Sequence, residues 1–281
     1  MNLNVALKRL IQRAENIPYI NRLLHFAFII RQRLRATATE PHLQDIDCAH
    51  IEIPAGANIK VPATLRPAHF ANTRLFADRI ELIKSLSYLK HPKVAELGVA
   101  YGDFSRVIID ELNPAAFHAY DIFRFHEIPI IWGKPSTETL NGLQHKAFYE
   151  ARFAKEIEAG QVAVFEGDGV TNLAQREDEF YDIIYIDADH RYEFVLRDTK
   201  ASIKKLKHGG TLIFNDYIMY DHIAGEPYGI VQVVNDLCVK EGWQITHFAF
   251  ETNMFCDIAL RRSQSGNSQV VNQSDNSRVR S

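Results

Sequence analysis

Cysteine is scarce in this chain, and charge of one sign is not in excess. Three cysteines stand at 48, 238 and 256 in 281 residues, none in a Cys-x-x-Cys pair. That spacing excludes a disulfide framework and a cysteine-held zinc site, and it points to a reducing cytoplasm. The formal net charge of -3 gives no overall pull toward nucleic acid. Long apolar runs are missing too. The stretch Leu23–Ile30 is broken by His25 and followed by Arg31, Arg33 and Arg35 rather than by a small-residue cleavage site. It falls well short of the roughly 20 residues that a spanning helix needs.

What is present reads as an ordinary globular protein, 46% hydrophobic and 24% charged, with room for one large α/β domain plus terminal additions. Residues 1–39 carry seven Lys/Arg against the single acid Glu15, with apolar residues spaced as on amphipathic helices. Such an extension, taken as residues 1–40, could pack on the main domain or on a second copy of the chain. It could also lie on an anionic membrane surface. Residues 41–92 read as a connector with a strand at 49–53 and a leading helix over 71–89. Residues 263–281, rich in Ser, Gln and Asn, read as a disordered tail.

Between them, residues 93–262 alternate. Strands are expected at 94–97, 116–120, 162–166, 182–187 and 211–215. Helices are expected at 104–111, 147–159, 194–205 and 230–240. This order predicts a Rossmann-like, doubly wound, mostly parallel sheet. Strands 244–250 and 256–261 have only the polar connection 251–253 between them, so they should close the sheet as an antiparallel hairpin.

In such sheets ligands bind beyond the carboxyl ends of the strands. Glu96-Leu97-Gly98-Val99-Ala100-Tyr101-Gly102 follows the first strand, and Ser105 stands on the helix after it. Gly98 and Gly102 allow a tight turn and close approach to a ligand. Their Gly-x-x-x-Gly spacing is not that of a dinucleotide site, and Glu96 would repel a phosphate while suiting a cation. S-adenosylmethionine carries an ammonium, a sulfonium and no phosphate. Asp121, closing the second strand, is placed for ribose hydroxyls, and Asp168 for the adenine.

Asp187-Ala188-Asp189-His190 ends another strand in acids and a histidine, and Asn215-Asp216 reaches the same rim. Oxygen donors from Asp187, Asn215 and Asp216 suit a hard cation such as Mg²⁺. Together with Gly209-Gly210-Thr211-Leu212-Ile213-Phe214 these motifs resemble the metal-dependent O-methyltransferases of the catechol, caffeoyl-coenzyme A and macrocin types, over roughly residues 94–261. The resemblance implies that Asp187 and Asp216 bind metal and that His190 is the general base. It leaves Asn215 and Tyr217 as rivals for a further ligand, because Asn-Asp stands where the family often has Asp-Asn or Glu-Asp. Asp187 could also meet the cofactor's ammonium.

The function expected is methylation of a hydroxyl on a small metabolite, a sugar or natural product, with S-adenosylmethionine and Mg²⁺. The alternatives are a metal-independent N-methyltransferase, a related hydroxylase of antibiotic biosynthesis, and a non-catalytic cofactor-binding scaffold. The long segment Arg124–Gly142, with Phe125 and Trp132, suggests a substrate lid. Tyr192, Tyr217, Tyr220 and His222 could line the acceptor pocket.

Overall fold

The computed structural model describes residues 61–263. The N-terminal helical extension, the strand at 49–53 and most of the tail lie outside the described residues.

An eight-stranded sheet organises the domain: β1 (Arg74–Phe76), β2 (Lys93–Leu97), β3 (Ala116–Asp121), β4 (Val162–Glu166), β5 (Tyr181–Ile186), β6 (Leu206–Phe214), β7 (Trp243–Ala249) and β8 (Asp257–Arg262). Their spatial order is β1-β7-β8-β6-β5-β2-β3-β4. Every adjacent pair is parallel except the two that β8 makes, with β7 and with β6. The Rossmann-like sheet with its C-terminal antiparallel hairpin is therefore the fold of this chain. After β4 the chain crosses from one side of β2 to the other and enters β5. The crevice between the carboxyl ends of β2 and β5 is thus the switch point of the sheet.

Helices cover both faces: α1 (Arg79–Lys84), α2 (Asp103–Leu112), α3 (His145–Arg152), α4 (Ala154–Glu158), α5 (Gly169–Ala174), α6 (Tyr192–Lys205) and α7 (Ile230–Glu241). Central strands are apolar on both sides because both sides are covered. In β2, Val94 packs into one core with Ile108, Ile109 and Leu112 of α2, while Ala95 packs into the other with Val233, Val234 and Leu237 of α7. α2 ends at Asn113, whose left-handed φ of 41° stops the helix. α7 ends the same way at Gly242, with φ 72°.

The leading helix expected over 71–89 is corrected. Its first part is β1, which adds parallel to the edge strand β7, and only Arg79–Lys84 is helical before a run of turns. Thr73 gives its hydroxyl to the Ile245 carbonyl at 2.7 Å and Asp78 caps α1 by accepting from the Glu81 amide at 2.8 Å, so a cap stands where mid-helix was expected. The helix expected over 147–159 is α3 and α4, with Phe153, at φ -113°, between them. α5 went unread, being a single six-residue element.

Asp78 fixes the start of α1. Replacing it by Ala removes one capped amide, and chemical denaturation should show a loss of about 1 kcal/mol. An unchanged midpoint would mean that the cap carries no stability here.

Candidate functional site

The glycine turn is built by backbone approach. Gly98 donates its amide to the Tyr120 carbonyl at 2.7 Å, and Asp187 donates to the Leu97 carbonyl at 2.8 Å. Gly98 has φ 83°, and a Cβ on it would overlap the carbonyl oxygen of Asp187. Gly102, at φ 78°, begins α2, and a Cβ there would come within 2.6 Å of the Phe153 ring. Glycine is required at both positions, by backbone conformation and by space.

Glu96 is buried, 1% exposed, and accepts the hydroxyl hydrogen of Ser105 from the first turn of α2. Burial pushes its carboxyl up to about 8, against the Ser105 hydrogen bond, and the charge of Asp187 pushes the same way. Asp121 braces the turn: one oxygen accepts from the Val99 amide at 2.9 Å and the other from the Phe123 amide at 2.7 Å. Asp168 caps α5 through Thr171 and pairs with Arg197 at 2.8 Å. Its carboxylate is thus already engaged beside the crevice.

The opposite lip carries His190. Its backbone carbonyl accepts from the Gly229 amide at 2.7 Å, and its ring packs on Tyr228 with centroids 4.5 Å apart. Gly229 is needed there, since a Cβ would run into the Tyr192 backbone. Nε2 of His190 stands 3.5 Å from Asp187 Oδ1, is buried, and has no hydrogen-bond partner within ordinary limits. Burial lowers its pKa, but Asp187, Asp216 and Asp189 more than offset this, so it lies above the usual histidine value. Burial raises Asp216 to about 7, opposed by His190. Asn215 is buried and donates its amide to Asp257 at 3.0 Å, while Tyr185 donates to the other oxygen of Asp257 at 2.5 Å.

All of Glu96, Gly98, Asp121, Asp168, Asp187, His190, Asn215 and Asp216 line one cleft of about 1070 Å³ at the switch point. Gly102 and Ser105 stand behind it, shaping the turn and holding Glu96. The 124–142 segment folds as short pieces, including a two-residue ribbon of Ile130–Ile131 with Lys134–Pro135. Its Phe125 and Trp132 reach the cleft and meet Tyr101 edge-on, at 5.5 and 5.1 Å. Tyr192, Tyr217, Tyr220 and His222 do not line it: Tyr217 bonds Asn235 at 2.6 Å, and His222 stacks on Phe255, which does line it.

Residues 95–217 match the family described as a methyltransferase domain. The matched segment carries both the glycine turn and the rim from Asp187 to Asp216, and it spans less than half of the chain. Solved structures to which this chain is similar include the pyocyanin biosynthetic protein PhzM, 12% identical at TM-score 0.44, covering 64% of this chain and 54% of that one. The cofactor-bound Rv0187 protein from MTB is 14% identical at TM-score 0.48, covering 66% and 80%. An O-methyltransferase family protein from Burkholderia thailandensis is 13% identical at TM-score 0.45, covering 67% and 56%. This chain therefore spans little more than half of two of these relatives. No curated protein was found to match it.

The rim brings Asp187, Asn215 and Asp216 to one cleft, and Asn215, donating its amide nitrogen to Asp257, keeps its side-chain oxygen free. Among the described residues no group of three or more His, Cys, Asp or Glu is arranged to hold a metal ion. Reading the sequence also missed Arg79, Phe104, Tyr228 and Glu251, all of which line the cleft. Asp257 carried a readable signal: an acid inside the apolar run Cys256–Leu260 must be buried with partners.

The domain buries carboxyls whose proton affinity lies above the usual carboxylate range. Glu96 at about 8, with Asp216 and Asp257 at about 7, binds protons more tightly folded than unfolded. Stability from these groups is full at low pH and is lost as pH rises through those values. Buried His118 and His247, lowered to about 4, work oppositely, but their gain is complete once pH passes the unfolded histidine value. Between about pH 6.5 and 8, the melting temperature of the ligand-free protein should fall. Glu96→Gln should flatten that fall, and an unchanged slope would show that Glu96 is not the buried titrating acid.

Proposed function

We propose that the chain transfers a methyl group from S-adenosylmethionine to a hydroxyl oxygen of a small molecule, with His190 as the base. The supporting observation is the seat of His190: a half-buried imidazole, held by Gly229 and Tyr228, whose Nε2 stands 3.5 Å from Asp187 and lines the same cleft as the glycine turn. A hydroxyl is a poor nucleophile unless its proton leaves as the oxygen attacks. As the oxygen–carbon bond forms, the carbon–sulfur bond breaks, the sulfonium becomes a neutral thioether, and the proton passes to Nε2.

In this reading Glu96 meets the cofactor's ammonium, with Ser105 holding its carboxyl in place. Gly98 and Gly102 give the cofactor room along the turn. Asp121 keeps lone pairs for the ribose while bracing that turn, and Asp168 stands at the adenine end. Asp187 and Asp216 stabilise the imidazolium that forms through their nearby negative charge. The aromatic wall of Tyr101, Phe125 and Trp132 fits a ring-shaped acceptor, sugar or natural product, by stacking. The macrocin-type resemblance over 187–190 and 209–216 supports oxygen as the target. No step uses Mg²⁺.

His190→Ala should lower kcat by about 100-fold or more and remove the rise of kcat with pH, leaving S-adenosylhomocysteine binding within about two-fold. Wild-type turnover should survive EDTA. Full turnover in His190→Ala across pH overturns the base assignment. Loss of turnover with EDTA, restored by Mg²⁺, overturns the metal-free reading only.

A further inference from the structure

The loops that follow β3, β6 and β7 leave the sheet at its carboxyl end, around the mouth of the cleft. Each turns an apolar side chain outward. Ile122 (57% exposed) and Trp132 (71%) follow β3, Ile223 (44%) follows β6 and Met254 (68%) follows β7. Ile122 and Trp132 line the cleft themselves. Met254 stands between Asn253 and Phe255, which also line it, and His222, the neighbour of Ile223, stacks on Phe255. The loops that enter β2, β3, β4, β5 and β7 at the opposite end differ: among the described residues they expose one large apolar side chain, Tyr88.

The four side chains are held out by built turns. Trp132 and Gly133 take left-handed φ of 46° and 81° at the tip of the ribbon that pairs Ile130–Ile131 with Lys134–Pro135. That conformation is unfavourable for so bulky a residue as tryptophan. Met254, at φ 63°, donates its amide to the Glu251 carbonyl at 2.9 Å. Ile223 lies in the turn of a second ribbon, Tyr220–Asp221 with Glu226–Pro227, where its amide donates to Asp221 at 2.7 Å. Ile122 is spanned by the bond from the Phe123 amide to Asp121.

Exposed apolar groups gathered at one place on a surface mark a contact site. Here they form no continuous face, since the exposed polar residues Lys134, His222 and Asn253 stand among them. A protein partner, a second copy included, would need a matching socket for every tip. A lipid surface takes apolar tips in any arrangement and seats the polar groups beside them among its headgroups, the layer that tryptophan favours. Charge agrees. Residues 1–39 carry seven Lys/Arg against one acid, complementary to anionic headgroups, and at the lip Asp189 and Glu127 are paired with Arg191 and Arg124.

We infer that the mouth of the cleft docks on a lipid surface, with Ile122, Trp132, Ile223 and Met254 entering its apolar layer. The docking is independent of which acceptor the cleft takes.

The chain supplies its own reporter. Of its two tryptophans, Trp243 is 2% exposed and begins β7 at the opposite end of the sheet, so a lipid-induced change in emission belongs to Trp132. The full chain is floated with vesicles of phosphatidylcholine containing a minor share of phosphatidylglycerol. Flotation should persist in about 1 M salt, where charge attraction is screened within about 3 Å. Trp132 emission should shift to the blue and be quenched by brominated lipid. Met254→Asp and Ile223→Asp should each lower the vesicle partition by about 10-fold or more. Val239→Asp, at an exposed position on α7, should leave it within about two-fold. No flotation, or tip variants that float like wild type, overturns the inference. Flotation lost in salt with Trp132 emission unshifted assigns binding to charge alone and overturns it too. Self-association in sedimentation, abolished by Met254→Asp and without flotation, gives the mouth to a second copy and overturns it as well.

Discussion

Two strand ends must come almost into contact for this site to exist. The backbone leaving β2 at Gly98 passes so close to the carbonyl of Asp187, beyond β5, that no side chain fits between. Hydrogen bonds from Gly98 to Tyr120 and from Asp187 to Leu97 hold the approach on both sides. Because the turn is this tight, Glu96 at the end of β2 is driven into the interior, and the acids after β5 share its space. The chemistry of the cleft follows from that crowding of carboxyls and from what is placed near them.

Crowded acids in low dielectric resist ionisation unless something positive joins them. The domain answers in two ways. Toward the outer lip, Arg191 and Arg197 neutralise Asp189 and Asp168 outright. Toward the inner end, Glu96 and Asp257 are fully buried and bonded only to neutral donors, Ser105, Tyr185 and Asn215. Neutral donors satisfy lone pairs without cancelling charge, so these carboxyls keep raised proton affinities. Their demand for a cation is stored in the folded state.

The strand order from β2 to β8 was legible because parallel strands covered on both faces must be apolar, and Val94–Leu97, Val162–Glu166 and Tyr181–Ile186 are. The rim acids were legible for the converse reason, as charges directly after such strands. Arg79 was not. Its neighbours Leu75, Ile80, Ile83 and Leu86 have helical spacing, which concealed a strand at 74–76 and a cap at Asp78. The pocket tyrosines failed for a related reason: Tyr217 follows a rim residue in sequence, yet it turns to Asn235 once Asp216 adopts a left-handed φ of 55°. Which way a loop side chain faces depends on backbone conformation that no periodicity records. The pairing of Asn215 with Asp257 was not legible, because Asp257 lies 42 residues downstream and becomes its neighbour only through the β6–β8 pairing.

A cleft with surplus acid draws a cationic ligand and focuses its approach. The reaction then alters that attraction. Before transfer, the cofactor carries a sulfonium, an ammonium and a carboxylate. Afterwards the sulfur is neutral, while the ammonium and carboxylate are unchanged. In the reaction proposed above, any stabilisation the rim acids give to the sulfonium is lost as the methyl departs, and the proton taken by His190 leaves a new positive charge beside Asp187 and Asp216. The acids therefore exchange one cation for another within the same few ångströms. That exchange offsets the loss at sulfur with a gain at the imidazole, so charge separation across the transition state stays small. In the same reading, the contact of Glu96 with the ammonium is indifferent to the change, which suits it to positioning; discrimination between substrate and product falls to the residues nearest the sulfur.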